Sequence, residues 1–252
     1  MVHAEPEVVH QLRLCIKKLR AFNILAKEIG LTRHEEHKRM TFRTKKMFRL
    51  TGQIRDIQVQ ILLLSTYEGK TGTTYPEFSK WLVNREKKRI SRLCRIPHKD
   101  KNQETSGNEP NAAFQGIADA SDETVINSAV NVLDGLYSKV QKLATGYISD
   151  ENLHRIRKIA KQLKYIQNIM FSCYPEFHFD PIHISTLREI DVAAGHWHDK
   201  LLRIELLGRC IETIQECDEQ TTRNYQEFMD VCFLELDVAY ETACVIVKSK
   251  LL

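Results

Sequence analysis

The chain has 252 residues, 42% hydrophobic and 28% charged, enough apolar material for one large core or two small ones. With only 10 Gly and 6 Pro it holds too few turn formers for a β-sandwich, a barrel, a collagen or a disordered linker; seven scattered Cys without a CxxC pair argue against a secreted disulfide scaffold or zinc ribbon and point to a reducing compartment. The net charge of +4 is uneven, with 22 Lys+Arg against 10 Asp+Glu in residues 1–100 and 15 against 23 in residues 101–252, so the first part suits an anionic partner.

Apolar residues recur at helical spacing along almost the whole chain. The pattern predicts helices over 6–29, 34–67, 76–96, 122–147, 150–173, 181–214 and 218–249. Gly30 is the expected stop of the first helix. Tyr67 to Tyr75, with two Gly and three Thr, reads as a loop. Residues 97–121 are polar and of low complexity, a linker rather than an element. Asp150 is the expected cap of the fifth helix, Tyr174-Pro175 its end, and Asp180-Pro181 the opening of the next. No apolar run reaches the ~18 residues of a membrane span. Glu5 and Glu7, with no apolar segment beside them, speak against a secretory leader.

The strongest feature is self-similarity. His10-Gln-Leu-Arg13-Leu-Cys-Ile-Lys17-Lys18-Leu-Arg20 returns 144 positions later as His154-Arg-Ile-Arg157-Lys-Ile-Ala-Lys161-Gln-Leu-Lys164. Gly52-Gln-Ile-Arg55-Asp56 returns 143 positions later as Gly195-His-Trp-His198-Asp199. Two copies in one order predict a helical duplication with a pseudo-two-fold. The first repeat would cover about 1–147, with the loop at about 97–121, and the second about 148–252.

At 100° per residue, His10, Arg13, Lys17 and Arg20 share a stripe of about 80°. Leu12, Cys15, Ile16, Leu19 and Phe22 lie opposite and are the expected buried face. The second copy repeats the stripe with His154, Arg157, Lys161 and Lys164. Ten residues of helix are about 15 Å long, a span suited to an extended polyanion. On the second helix, Lys38, Lys45, Arg49, Gly52 and Asp56 lie within about 60°, flanked by Lys46 and Arg55. Glycine there leaves room for a close helix or a ligand, and Asp56 is placed to hold a neighbouring guanidinium. The second copy is depleted: Arg188 matches Lys45, but Val192 stands for Arg49 and Pro181 for Lys38.

These motifs resemble the conserved histidine α-helical domain, the CHAD family. The resemblance runs over nearly the whole chain through H-x-x-R-x-x-x-K-K-L-R at 10–20, H-x-x-R-x-x-x-K-x-L-K-Y at 154–165, the run from Lys45 to Asp56, and Gly195-x-x-His198-Asp199. It implies one all-α domain of two helical bundles around a basic central groove or pore. It also implies binding of inorganic polyphosphate, with cytoplasmic placement at polyphosphate granules, no catalysis and no cofactor. The implied contacts are His10, Arg13, Lys17, Lys18, Arg20, Lys38, Lys45, Lys46, Arg49, Arg55, His154, Arg157, Lys161, Lys164, Arg188 and His198. The departures are Gln162 in place of Lys18, the cation-poor second glycine helix, and His198 opposite Arg55.

The chemistry of the residues agrees. Arg forks onto phosphate oxygens, Lys supplies mobile point charges, and His donates N–H groups whose protonation a polyanion favours. No aromatic residue interleaves with the stripe, which disfavours base stacking and hence single-stranded nucleic acid. Two other readings stand: histidine phosphotransfer at His10 or His154, and nucleic-acid binding by the same stripe. No acidic cluster for magnesium accompanies these histidines. Gly69-Lys70-Thr71 lacks the earlier glycine of a phosphate loop; His34 and His37 are one turn apart but read as a solvated helix start among Glu and Lys, and His196 and His198 fall on different helix faces, so neither pair is expected to bind a metal.

Overall fold

The computed structural model describes residues 5–30, 34–95, 120–213 and 219–252, those of 34–44 by backbone alone. Most of the 97–121 stretch therefore lies outside the described residues, as do the side chains of Lys38, His34 and His37. Among the described residues there are seven α-helices and no strand. They are α1 (Pro6–Glu28), α2 (His34–Thr71), α3 (Pro76–Cys94), α4 (Asp122–Ala144), α5 (Asp150–Cys173), α6 (Ile184–Ile211) and α7 (Glu219–Leu251). The chain is all-α, as its periodicity predicts. No helix of the described residues is long and apolar enough to cross a membrane.

Helix ends follow local chemistry. Pro6 opens α1 and Pro76 opens α3, where a missing N–H costs nothing. The side chain of Ser121 accepts from Thr124 N at the start of α4. At the start of α5 the cap is Ser149, accepting from Asn152 N at 3.2 Å, and the expected Asp150 falls inside the first turn. Pro181 does not open α6, which begins at Ile184 behind a His183 cap. The expected loop from Tyr67 is helical as far as Thr71. Gly69 sits inside the helix at a cost of about 1 kcal/mol, while Tyr67 packs on Phe228 with ring centroids 4.9 Å apart. The stop is Gly72, whose φ of +73° suits only glycine well.

Helices α1, α2 and α3 pack in chain order, as do α5, α6 and α7; α1 also lies against α5, and α2 against α6. Helix α4 covers α5 and touches α1 and α7. The main core is built on Leu153, Ile156, Leu163 and Ile166 of α5, with Leu133, Trp197 and Val247 around them. A second core under α3 joins Phe78 and Leu82 to Leu206 and Phe228. Tyr225 of α7 ties the two ends together: its hydroxyl accepts from Phe78 N and donates to Glu77, both at 3.0 Å.

Helix α1 departs from the amphipathic expectation. Of the five residues expected to be buried, only Ile16 is; Cys15 and Leu19 are exposed. The buried residues are Val9 and Ile16 on one flank and Ala21 and Leu25 on the other. Val9 packs with Ile54 and Ile90 of α2 and α3, whereas Ala21 and Leu25 join the core around α5. On a helical projection the His10–Arg20 stripe falls between these flanks, and of its residues His10, Arg13 and Lys17 are half-buried while Arg20 is exposed.

Candidate functional site

Arg13 is the centre of the arrangement on the first side. Its Nη1 donates to Phe48 O at 3.1 Å, and its guanidinium lies over the Phe48 ring, 4.7 Å from the centroid. It fills the space that Gly52 leaves: a Cβ there would stand 2.6 Å from Nη1. The glycine is therefore a seat for the protein's own arginine. Burial lowers the Arg13 guanidinium from its ordinary value; Asp56, one turn further on, partly offsets this, and Arg157 and Arg55 add to the lowering. Burial pushes the Asp56 carboxyl up; Arg13 partly offsets this and Asp199 adds to it.

The second side repeats the seat. The Arg157 guanidinium rests on Gly195, with Nη2 3.6 Å from where a Cβ would stand. Its Nε is buried without a hydrogen-bond partner. Asp199 is pushed up by burial and partly pulled back by Arg157.

A cavity of about 350 Å³ opens between α1, α2 and α5, lined by Lys17, Arg20, Phe48, Lys158, Lys161 and Tyr165 among others. Its volume equals that of about a dozen waters. The Arg20 guanidinium also lies over the Phe48 ring, 4.8 Å from the centroid. Burial first, then Lys161 and Arg13, push the Lys17 ammonium down to about 8. Lys161 is also lowered, by burial and then by Arg157.

Asp191 of α6, which the repeat does not mark, meets the second copy's lysines. It pairs with Lys161 at 3.2 Å and Lys164 at 2.5 Å. Burial alone would raise its carboxyl, but the two ammoniums hold it below the usual range. Phe48 and Tyr165 also correct the expectation of a site without aromatic rings. Phe48 comes from α2, so the α1 spacing could not reveal it, and Arg13 and Arg20 already lie over its ring.

The second-side histidines lie together, with the His154 and His198 ring centroids 5.3 Å apart. Burial, then Lys158 and Arg157, lower His154. Burial, then Arg157 and His154, push His198 down to about 4. Both are thus held neutral in the free protein. His10 is half-buried on α1.

The remaining expected contacts lie elsewhere. Arg55 is half-buried beside Arg13. Lys18, Lys45, Lys46 and Arg49 are exposed, outside the cavity lining. Arg188 borders a different groove, between α6 and α7, with Val192, His196, Thr242 and Ile246. Lys158, on the lining, was missed because its counterpart in the first copy is Leu14. Among the described residues no three His, Cys, Asp or Glu side chains converge as metal ligands.

This is an α-helical protein that presents Arg13 and Arg157 on glycine seats beside a cavity lined by Lys17, Arg20, Lys158 and Lys161. Residues 1–208 match the CHAD domain family, and the chain belongs to it. No curated protein and no solved structure matches the chain.

Proposed function

We propose that this chain binds inorganic polyphosphate, without catalysis, in the cavity between α1, α2 and α5, and that its halves are a duplication about a central basic groove. One observation carries this reading. Cations 144 positions apart in the sequence are electrostatic neighbours in space: Arg13 feels Arg157, and Lys17 feels Lys161. Asp56 and Asp199, 143 apart, are neighbours too. Like residues meeting across a junction is what a two-fold axis produces, and the cost of assembling like charge is relieved when an anion enters. Membership of the CHAD family supports the same ligand. Arg13 and Arg157 sit at the centre, Lys17, Arg20 and Lys161 on the cavity wall, and Arg49, Lys45 and Lys46 along the approach.

The binding is charge-driven, so log K falls steeply and linearly with log salt, as for other polyphosphoryl chains. A titration of long-chain polyphosphate at two ionic strengths, with RNA and duplex DNA as competitors, tests it. Affinity indifferent to salt, or RNA displacing polyphosphate at equal charge, would sink the reading.

Histidine phosphotransfer at His10 or His154 is a second reading, because burial lowers His154 and so favours its neutral, nucleophilic form. It requires acid-labile phosphate on one of them after incubation with a phosphodonor. A stable, unmodified protein excludes it.

A further inference from the structure

Helix α7 is apolar on two opposite faces. Its inner face, with Cys232, Ala243, Val247 and Leu251, is buried. Its outer face carries Val231, Leu234, Val238 and Val245, which are 37%, 68%, 65% and 66% exposed, and Leu252, one residue past its end, is 69% exposed. The two faces point about 170° apart on the helical projection. A surface helix has one apolar stripe; a helix with two is one that is covered on both sides.

The outer stripe has a heptad period. Val231, Val238, Val245 and Leu252 are seven residues apart, and Leu234, Glu241 and Lys248 fill the alternate seam positions. A three-and-a-half-residue repeat keeps a seam facing another helix. Charge decides the orientation. In a parallel pair each seam residue meets its own copy, so Glu241 would face Glu241 and Lys248 would face Lys248. In an antiparallel pair centred near residue 243, Leu234 meets the second copy's Leu252 and Val238 meets its Lys248. Glu241 then lies one turn from that ammonium, twice per dimer.

We propose that the outer seam of α7 is a self-association surface, pairing antiparallel with the same helix of a second copy of this chain. The inference is independent of the polyphosphate reading: no seam residue lines the cationic cavity, and α7 lies outside the 1–208 family match.

Sedimentation velocity of the full chain at rising concentration tests it, with Glu241→Lys, Lys248→Glu, the double swap and Val238→Asp. The wild type sediments as a dimer. Each single swap places like charges a turn apart at both ends and weakens dimerisation roughly tenfold, and the double swap restores it to within about threefold. Val238→Asp abolishes the dimer while far-UV circular dichroism stays helical. If Val238→Asp loses its helicity, the exposed charge swaps still decide the matter. A wild type that stays monomeric overturns the proposal. So does a dimer that ignores the single swaps, as a parallel pair would, or one that the double swap does not restore.

Discussion

Positions 48 and 191 stand 143 residues apart, each four residues before a glycine that seats an arginine, and they answer the neighbouring cations differently. Phe48 receives Arg13 and Arg20 on its ring at 4.7 and 4.8 Å. Asp191 receives Lys161 and Lys164 on its carboxylate at 3.2 and 2.5 Å. A ring orders a guanidinium for about 0.5–2 kcal/mol and leaves its charge and N–H edge available; a carboxylate neutralises the ammonium it holds. The approach repeats the contrast. Lys45, Lys46 and Arg49 are matched by Arg188, Glu189 and Val192, and Glu189 is paired with Lys250 at 2.8 Å. Equal cationic stripes on α1 and α5 thus differ in their counter-ions: among the described residues Asp191 pairs with two lysines of α5, while the cations of α2 outnumber those of α6. The number of cations in a motif says little until their counter-ions are located.

The largest effect should come from emptying the first side. Arg13→Ala, Lys17→Ala and Arg20→Ala together should weaken polyphosphate binding by about a hundredfold or more, since hydrogen bonds to charged groups are worth about 1.5–3 kcal/mol each. Lys161→Ala with Lys164→Ala removes charge already shared with Asp191 and should cost about tenfold or less. Three exposed lysines elsewhere, Lys87, Lys88 and Lys139, should cost less than about threefold when changed to Ala. Equal losses in calorimetry of all three variants would mean that bulk charge alone acts.

Transferring the contrast is the next test. Asp191→Asn frees Lys161 and Lys164, so affinity should rise by about three- to tenfold and the salt dependence should steepen by about one charge. Phe48→Asp should do the reverse. Affinity unchanged by either substitution would break the comparison.

How much of this was legible beforehand follows from what each feature depends on. The seven helices were readable because a 3.6-residue apolar period survives in a single sequence. The exception at Tyr67–Thr71 arose because Gly69 imitates a breaker, while the real stop is the positive φ of Gly72. The glycine seats were half readable: Gly52 was marked as a space, but only the fold shows that Arg13 fills it. Asp191 was invisible because the other copy has Phe48 there, and matching copies finds only what both keep. An inward turn of the α1 stripe follows from the duplication and from the family resemblance, not from the period of one helix. Helical period alone places a cationic stripe in water.

Proton linkage separates the two sides more gently. Lys17 is lowered to about 8 and His198 to about 4 in the free protein. A bound polyanion favours the charged form of both, so binding takes up protons. Affinity should fall as pH rises through about 8, by up to about tenfold per unit for one proton. Lys17→Arg should move that limb upward, because guanidinium keeps its charge. On the acid side the sign for stability is opposite. The unfolded imidazole titrates near 6.5, and the folded His198 does not until about 4. The unfolded state therefore binds more protons in that window, and stability falls as pH drops through it while affinity rises. Melting and binding measured across pH check both limbs; parallel trends below pH 6.5 would contradict them.

The smallest expected difference lies at the two glycines. Alanine in a helix interior is favoured over glycine by about 0.5–1 kcal/mol. At Gly195 the new Cβ would meet Arg157 at 3.6 Å, ordinary contact, so Gly195→Ala should stabilise the fold by about that amount and leave binding unchanged. At Gly52 it would meet Arg13 Nη1 at 2.6 Å, and the flexible guanidinium must leave its seat. Gly52→Ala should therefore keep the melting temperature near the wild-type value, because the helix gain offsets the lost bond to Phe48 O. It should also lower polyphosphate affinity several-fold, by about one charge-assisted contact. Identical binding by the two variants would mean that Arg13 does not need its seat, and the first side would then owe its strength to charge alone.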